Sequence, residues 1–306
     1  MMSARFLTVV LERAFNMRDG FGREIDYMRI SVIDSCNLNC YYCNPCDNNE
    51  HCHALNILSV KEVLCIVRAA TRLGIKHFRL TGGEPLLHPQ LDEMVLQIKK
   101  IPGVSSVSLT TNAVLLAQHA KWLKEAGIDS INVSLDTIDA SEYERITKKP
   151  LLEEVKHGIN AAIECGIRVK INVVLTPQTD VVALTRYVAK KGTDIRFIEM
   201  MPVGEGHTNG VEPYKKVIGT LSKLYGEPCR INTEKTKEIN SGNDKRKIPD
   251  NGPAEYYIFP ELGIRVGLIQ AIHGKFCDTC NRIRVTADCR LMPCLGSSVT
   301  MDLVPD

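Results

Sequence analysis

Three cysteines, Cys36, Cys40 and Cys43, stand in the run Ser35-Cys-Asn-Leu-Asn-Cys-Tyr-Tyr-Cys43, directly after the apolar stretch Met28–Ile33. Thiolates at the spacing C-x3-C-x2-C can hold three irons of a 4Fe-4S cube and leave the fourth without a protein ligand. An iron so exposed can bind a small molecule and do chemistry on it. The same spacing is open to a zinc knuckle completed by Cys46 or Cys52, or to a redox pair with a bystander. A second group, Cys277-Asp-Thr-Cys280 and then Cys294, has the spacing C-x2-C-x13-C, and here Cys289 could complete a zinc site. Cys280 is followed by Asn281-Arg-Ile-Arg284. Arginines beside a metal cluster suit an anionic ligand, because guanidinium forms paired, charge-assisted bonds to phosphate.

Between the two groups lies Thr81-Gly-Gly-Glu-Pro85, 38 residues after Cys43. Its glycines let a backbone approach a ligand, and Glu84 can accept a bond from an ammonium; a plain strand-to-helix turn has the same composition. Asp136 and Glu199 can orient nearby cations or can be simple strand-end carboxylates. His77, His88 and His273 lie near these motifs, but their spacing makes no metal set.

The elements that must position these residues are legible as alternation. Strand candidates are 28–33, 77–81, 106–111, 130–135, 168–174 and 194–200, with helix candidates near 59–74, 90–100, 114–127, 151–165 and 178–191. Gly74, Gly127 and Gly166 close three of the helices, where a left-handed residue is expected. Six such units predict a parallel sheet with helices packed outside it, either an open partial barrel or a flat doubly wound sheet. After Pro202 the pattern changes to a Gly-rich loop, a helix near 212–225, a polar excursion over 231–252 and two short strands at 255–259 and 264–269. This places a domain boundary between 1–202 and 203–306.

Composition is that of a globular chain, with 306 residues, 44% hydrophobic, 24% charged and a net charge of +2. Neither nucleic acid nor membrane is indicated as a general partner. No run of about 18 apolar residues exists, and the stretch after Phe6 lacks a signal-peptide cleavage pattern. Twelve cysteines clustered at short spacings read as metal ligands in a reducing, cytoplasmic setting. Cys65 and Cys165 fall in helical apolar patterns and read as core.

With Tyr42 before the third cysteine, the first cluster resembles the C-x3-C-x-aromatic-C signature of radical S-adenosylmethionine enzymes. The order Arg79-Leu-Thr-Gly-Gly-Glu-Pro85, Leu109-Thr-Thr-Asn112, Asn132-Val-Ser-Leu-Asp136, Val169-Lys-Ile-Asn-Val-Val174, Arg196-Phe-Ile-Glu199 and Phe276-Cys-x2-Cys-Asn-Arg-x-Arg284 is similar to one family. That family is the GTP 3′,8-cyclases of molybdenum cofactor biosynthesis, and the likeness runs from about residue 20 to 296. It implies an α/β partial (βα)6 TIM-like barrel with a small C-terminal cluster-binding region.

The resemblance implies two 4Fe-4S clusters, one on Cys36, Cys40 and Cys43 that binds S-adenosylmethionine, the other on Cys277, Cys280 and Cys294 that holds the guanine of GTP. The deoxyadenosyl radical would take the 3′ hydrogen of GTP and the sugar radical would attack C8. By position, Tyr42, Gly83, Ser134 and Met201 would line the S-adenosylmethionine. Arg29, Arg79, Thr110, Lys170, Arg196, Arg282, Ile283 and Arg284 would surround GTP. A triphosphate carries about four negative charges, and cations on four separate strands suit it. Implied partners are GTP, an electron donor, the downstream cyclic pyranopterin monophosphate synthase and a second copy of the chain. Family members continue past the second cluster to a terminal Gly-Gly, whereas this sequence stops at Asp306, and the resemblance implies that a segment reaching the active site is missing. Ala113 stands where glycine is common, and His77 where a further cation often precedes Arg79. Competing expectations are a radical maturase acting on a peptide, and a non-catalytic zinc- or nucleotide-binding paralogue.

Overall fold

Each of the central strands alternates between apolar and polar residues, broken only at the last residue of three of them, Thr111, Val174 and Ile198. In β1 (Tyr27–Ser31), Met28 and Ile30 are buried while Tyr27, Arg29 and Ser31 are half-buried. The same period of two runs through β2 (His77–Thr81), β3 (Ser106–Thr111), β4 (Ser130–Ser134), β5 (Val169–Val174) and β6 (Asp194–Ile198). Successive side chains of a strand face opposite sides. One face therefore carries Phe78, Leu80, Leu109, Ile131, Val133, Ile171 and Phe197 into the core. The other carries Arg29, Arg79, Ser108, Thr110, Asn132, Lys170, Asn172 and Arg196. Parallel sheets usually read as continuous apolar runs because both faces are covered. Here the second face is polar and yet largely buried, with Ser108, Asn132, Lys170 and Arg196 all inside, so it bounds a polar interior, and the alternation is its signature.

The computed structural model describes residues 17–43, 56–202, 210–231, 252–274, 276–297 and 299–303. Cys46, Cys52 and most of the polar excursion lie outside the described residues. Helices α1 (Val60–Arg72), α2 (Leu91–Lys99), α3 (Leu116–Glu125), α4 (Ala140–Thr147), α5 (Leu152–Glu164) and α6 (Val181–Lys190) follow the first five strands in turn, α4 and α5 both after β4. Each buries an apolar stripe against the sheet, as Val63, Val67 and Ala70 do in α1. Burying one large apolar side chain contributes about 1.5–3 kcal/mol. Ser59 opens α1 with a reciprocal capping box to Glu62. Gly74, Gly127 and Gly166 take the positive φ expected of them.

The six parallel strands lie in sequence order, and the C-terminal strands extend both edges of the same sheet. In the order found, β12-β11-β10-β1-β2-β3-β4-β5-β6-β9-β8-β7, β10 (Arg282–Val285) runs parallel to β1 and β9 (Arg265–Ile269) parallel to β6. β7 (Cys229–Ile231) and β8 (Glu255–Ile258) continue beyond β9, and β11 (Arg290–Met292) and β12 (Met301–Asp302) beyond β10. The partial barrel is thus open and twelve-stranded. The helix expected near 212–225 is split into a π-type turn, Tyr214–Ile218, and α7 (Gly219–Tyr225). At the base of β6, Asp194 and Arg265 of β9 form a buried ion pair.

α4 and β10 are absent from the sequence-based expectation. α4 has a proper start, since Asp139 accepts from the Glu142 N–H at 2.8 Å. It ends on Lys148 at φ 60, with no glycine to mark it. β10 is four residues long, and two of them are arginines.

Candidate functional site

The two thiol trios sit at opposite ends of the cavity. Cys36 follows the carboxyl end of β1. Cys280 immediately precedes β10, which is parallel to β1, and Cys294 follows β11, which is antiparallel to β10. The C-terminal trio therefore belongs to the amino end of β1. A five-residue strand spans about 15 Å. The candidate residues consequently lie along the whole length of the polar face, rather than gathering outside the carboxyl ends of the strands.

At the carboxyl end the cysteine loop is fastened from three sides. Asn39 N–H donates to Thr147 O at 3.0 Å and Tyr41 N–H to Ile146 O at 3.1 Å, so the last turn of α4 holds it. Tyr42 Oη donates to Asp136 Oδ2 at 2.5 Å, and Asp136 Oδ1 accepts from the Val174 N–H at 2.7 Å. Burial pushes the Asp136 carboxyl up to about 6. Burial and then Asp136 hold the Tyr42 phenol well above its ordinary value. Asn112 reaches the loop too, with Nδ2 3.8 Å from Cys36 Sγ and 2.7 Å from Asn37 Oδ1.

The Gly-Gly-Glu run also has a structural task within the fold. A Cβ on Gly82 would lie 2.2 Å from Ile33 O, and one on Gly83 2.1 Å from Ser35 O. The glycines are required by the backbone that leads into Cys36, to which Gly83 and Glu84 also donate their N–H groups at 2.8 Å. Glu84 is buried with both oxygens engaged. Oε1 accepts from Leu86 N–H and Thr111 Oγ1, and Oε2 from Asn112 N–H. Burial raises its carboxyl to about 7. Glu84 thus aims Asn112 at the cysteine loop. Gly83 and Ser134 are exposed at the mouth, and Met201 is half-buried just beyond β6.

Inside the cavity the register builds rows. Arg282, Tyr27, His77 and Ser106 form the row nearest the C-terminal trio, and Arg284, Arg29, Arg79 and Ser108 the next. Thr110, Asn132, Lys170 and Asp194 make another, and Ser134, Asn172 and Arg196 one nearer the mouth. The Arg29 guanidinium is held well below its ordinary value by burial and by Arg284 and Arg79, and its Nε has no partner. Arg196 Nε donates to Asn172 Oδ1 at 2.9 Å. A Cβ on Gly267 would lie 2.8 Å from Arg196 Cγ, so that glycine gives the arginine its room. Ile283 occupies the opposite face, paired with Met28 and packed on the core. Alternation turns its side chain away from the cavity, and only its backbone can serve there.

Tyr27 went unnoticed in the sequence. Its hydroxyl accepts from Arg79 Nε at 2.5 Å, and Arg79 and Arg282 lie over its ring at 5.8 and 5.7 Å. Burial alone would raise the phenol, but Arg79 and Arg29 outweigh it and hold it below its ordinary value. The polar position in an alternating strand was the available signal. His77 bonds Ser106 Oγ at 2.8 Å and is lowered by burial, so it is not a standing cation.

Cys40 is pushed up to about 12 by burial first, then by Asp136, Cys43 and Cys36, so the three thiols lie near one another, and a bound cation would be needed to hold them as thiolates. At the other end Arg284 feels Cys294 and Cys280, and Arg282 feels Cys280. Among the described residues no three His, Cys, Asp or Glu side chains converge on a single ion. Each thiolate of a cube binds its own iron, so a trio need not converge on one point. Cys289 packs against the core and feels Glu62 and Cys65 of α1, apart from the trio it could have completed.

Residues 30–184 match the Radical SAM superfamily. The SuiB protein of Streptococcus suis, solved with S-adenosylmethionine, superposes with a TM-score of 0.63 at 14% identity, over 91% of this chain and 63% of that one. The protein anSMEcpe, solved with bound AdoMet, superposes at 0.59 and 17%, over 89% of this chain and 75% of that one. At such identities the likeness speaks for the fold alone. Fold and site together define the radical S-adenosylmethionine class, with S-adenosylmethionine and iron–sulfur as its cofactors. Residues 193–305 match the family Molybdenum Cofactor Synthesis C. The GTP 3′,8-cyclase of Clostridium perfringens (strain SM101 / Type A) is 37% identical over 91% of this chain and 83% of its own length. That of Pelotomaculum thermopropionicum is 37% identical over 94% and 86%. The chain belongs to the GTP 3′,8-cyclase family.

Proposed function

We propose that this chain cyclises GTP to (8S)-3′,8-cyclo-7,8-dihydroguanosine 5′-triphosphate, using two 4Fe-4S clusters at the two ends of one cavity. The observation that carries the reading is the band of cations, Arg284, Arg29, Arg79, Lys170 and Arg196, lying between two thiol trios. A triphosphate, with about four negative charges, answers that charge better than a peptide does.

Cys36, Cys40 and Cys43 hold the first cluster, and Cys277, Cys280 and Cys294 the second. When bound, the first would supply the electron for reductive cleavage of S-adenosylmethionine. Tyr42, Gly83, Ser134 and Met201 border the S-adenosylmethionine at the carboxyl end. Arg29, Arg79, Lys170, Arg196, Arg282 and Arg284 neutralise the triphosphate, with Thr110 and the Ile283 backbone as further contacts. Arg79 Nη1 already lies 3.4 Å from Thr110 Oγ1. The flanking strands and helices keep water from the reacting carbon. Residues 1–202 form the radical domain and 203–306 the second-cluster region, whose strands complete the sheet. An electron donor and the downstream cyclic pyranopterin monophosphate synthase are the pathway partners in the cytoplasm, and a homodimer is the working assembly.

The test is anaerobic reconstitution, then incubation with GTP, S-adenosylmethionine and a reductant, with mass analysis of the products. Deoxyadenosine and an isomer of GTP are expected together. Deoxyadenosine formation indifferent to GTP would refute the reading.

A further inference from the structure

We propose that Arg23, outside every motif above, is a positioning residue that fastens the Cys277–Cys280 turn to the barrel and sets the charge beside its cluster. The inference rests on the two-cluster reading. Arg23 lies in a hairpin closed by the Arg18–Glu24 bridge, in which Asp19 Oδ1 accepts from the Phe21 and Arg23 N–H groups at 3.0 Å. Asp19 Oδ2 then grips the guanidinium twice, Nε at 2.6 Å and Nη2 at 2.5 Å. A fork held in this way has one direction left, and Nη1 donates to Cys277 O at 2.6 Å.

The turn needs this help. Residues Cys277–Thr279 form one 3-10 turn with no buried residue, so packing does not hold it. Its own bonds are Thr279 N–H to Phe276 O and Cys280 N–H to Cys277 O, both at 3.2 Å. The chain before β1 grips its far end as well. Asn281 Nδ2 donates to Asp26 Oδ1 at 2.6 Å, and Tyr27 N–H to Asn281 O at 3.2 Å. The hairpin is anchored in turn, since Met17 N–H reaches Leu73 O at 3.0 Å.

The charge is placed for a second effect. The Arg23 guanidinium is held above its ordinary value first by Asp19, with Cys280 and Cys277 adding to the pull. Net charge and hydrogen bonding around the sulfurs set a cluster's potential. A cation there favours the reduced, more negative state, so its removal lowers the potential of the second cluster.

The full chain is reconstituted anaerobically as wild type, R23Q, R23K, D19N and C277A. Iron and sulfide content, a redox titration followed by electron spin resonance, and thermal unfolding are read. Wild type is expected to hold about eight irons. R23Q is expected to fall toward half of that, matching C277A in spectrum, or to keep the irons with a lower potential at the second cluster. D19N shares the loss of iron but not the lowered potential, since it removes an anion and leaves the cation, and R23K restores the potential more than the retention. S-adenosylmethionine binding at the N-terminal trio persists in all. R23Q with wild-type iron and potential overturns this inference alone, as does loss of iron from both sites with collapse of the melting temperature. A wild-type chain with about four irons overturns the two-cluster reading and this inference with it.

Discussion

Arg29→Met is expected to stabilise the GTP-free protein while it cripples GTP binding. Arg29 pairs in register with Arg284 on one side and Arg79 on the other. Adjacent strands lie about 4.8 Å apart, which puts neighbouring guanidinium groups roughly 6 Å apart. Two unit charges at that distance repel by about 3 kcal/mol at an effective dielectric of about 20. Two such pairs, with the cost of burying the charge, oppose the fold; Arg284 and Arg79 relax once one member is gone. Removing one guanidinium relieves that repulsion and its desolvation, and even a paired buried ion set replaced by apolar groups of similar volume is often neutral or gains about 1–4 kcal/mol. A gain of about 2 kcal/mol corresponds to a melting temperature raised by roughly 5 °C. Against this, a buried charge-assisted contact to phosphate is worth about 3 kcal/mol, roughly a hundredfold in affinity. The assay is anaerobic thermal unfolding with and without GTP. Wild type shows the lower melting temperature alone and the larger rise with GTP, and R29M shows the reverse. An R29M protein that melts lower without GTP, or that keeps the full GTP-induced rise, would refute the reasoning.

Tyr27→Phe removes the acceptor that aims Arg79, and a tenfold rise in KM for GTP is expected at near-constant kcat, about the 1.4 kcal/mol of one such bond. Steady-state kinetics check it, and an unchanged KM means that Arg79 finds its place unaided. Ala113 sits at φ 65, in the left-handed region that costs a residue with a Cβ about 1 kcal/mol or more. Ala113→Gly should therefore raise the melting temperature by about 2–3 °C, as calorimetry would show. Asp136 titrates near 6 in the fold against 3.8 ordinarily, so the folded chain keeps a proton that the unfolded chain has lost. That contribution is full below about pH 4, declines as pH rises through about 6, and amounts to at most about 3 kcal/mol. Asp136→Asn should flatten this part of the stability profile in denaturant titrations between pH 4 and 8 while keeping the bond from Val174. A variant as steep as wild type would show that Asp136 is not the titrating group.

The strands were legible because their alternation has a single physical cause. Phe78 and Leu80 must meet the core, and Arg79 must find polar partners such as Tyr27, so β2 reads identically in sequence and structure. Helices with apolar stripes and closing glycines were as plain. α4 escaped notice because Lys148 closes it without a glycine. β10 escaped because its pairing with β1, some 250 residues earlier, has no local trace. Glu84 shows the other kind of miss. Its motif identified the place correctly, but nothing local told that Thr111 and Asn112 would take its oxygens. Tyr27 and Arg23 were invisible as functional residues for the same reason, since their partners Arg79, Arg282 and Cys277 come from other strands and loops.

The order of residues alone determined the chemistry available: two incomplete thiol sets, inward cations on separate strands, and a period of two that separates core from cavity. Spacing and alternation are local properties, written in neighbours one to a few residues apart. Only the tertiary structure decided where these groups stand relative to one another. Laying β10 beside β1 put the second trio at the far end of the cavity, brought Arg284 into the row with Arg29 and Arg79, and turned Ile283 outward. Those placements follow from long-range strand pairing, whose register is set by the burial of whole faces rather than by any short stretch of chain.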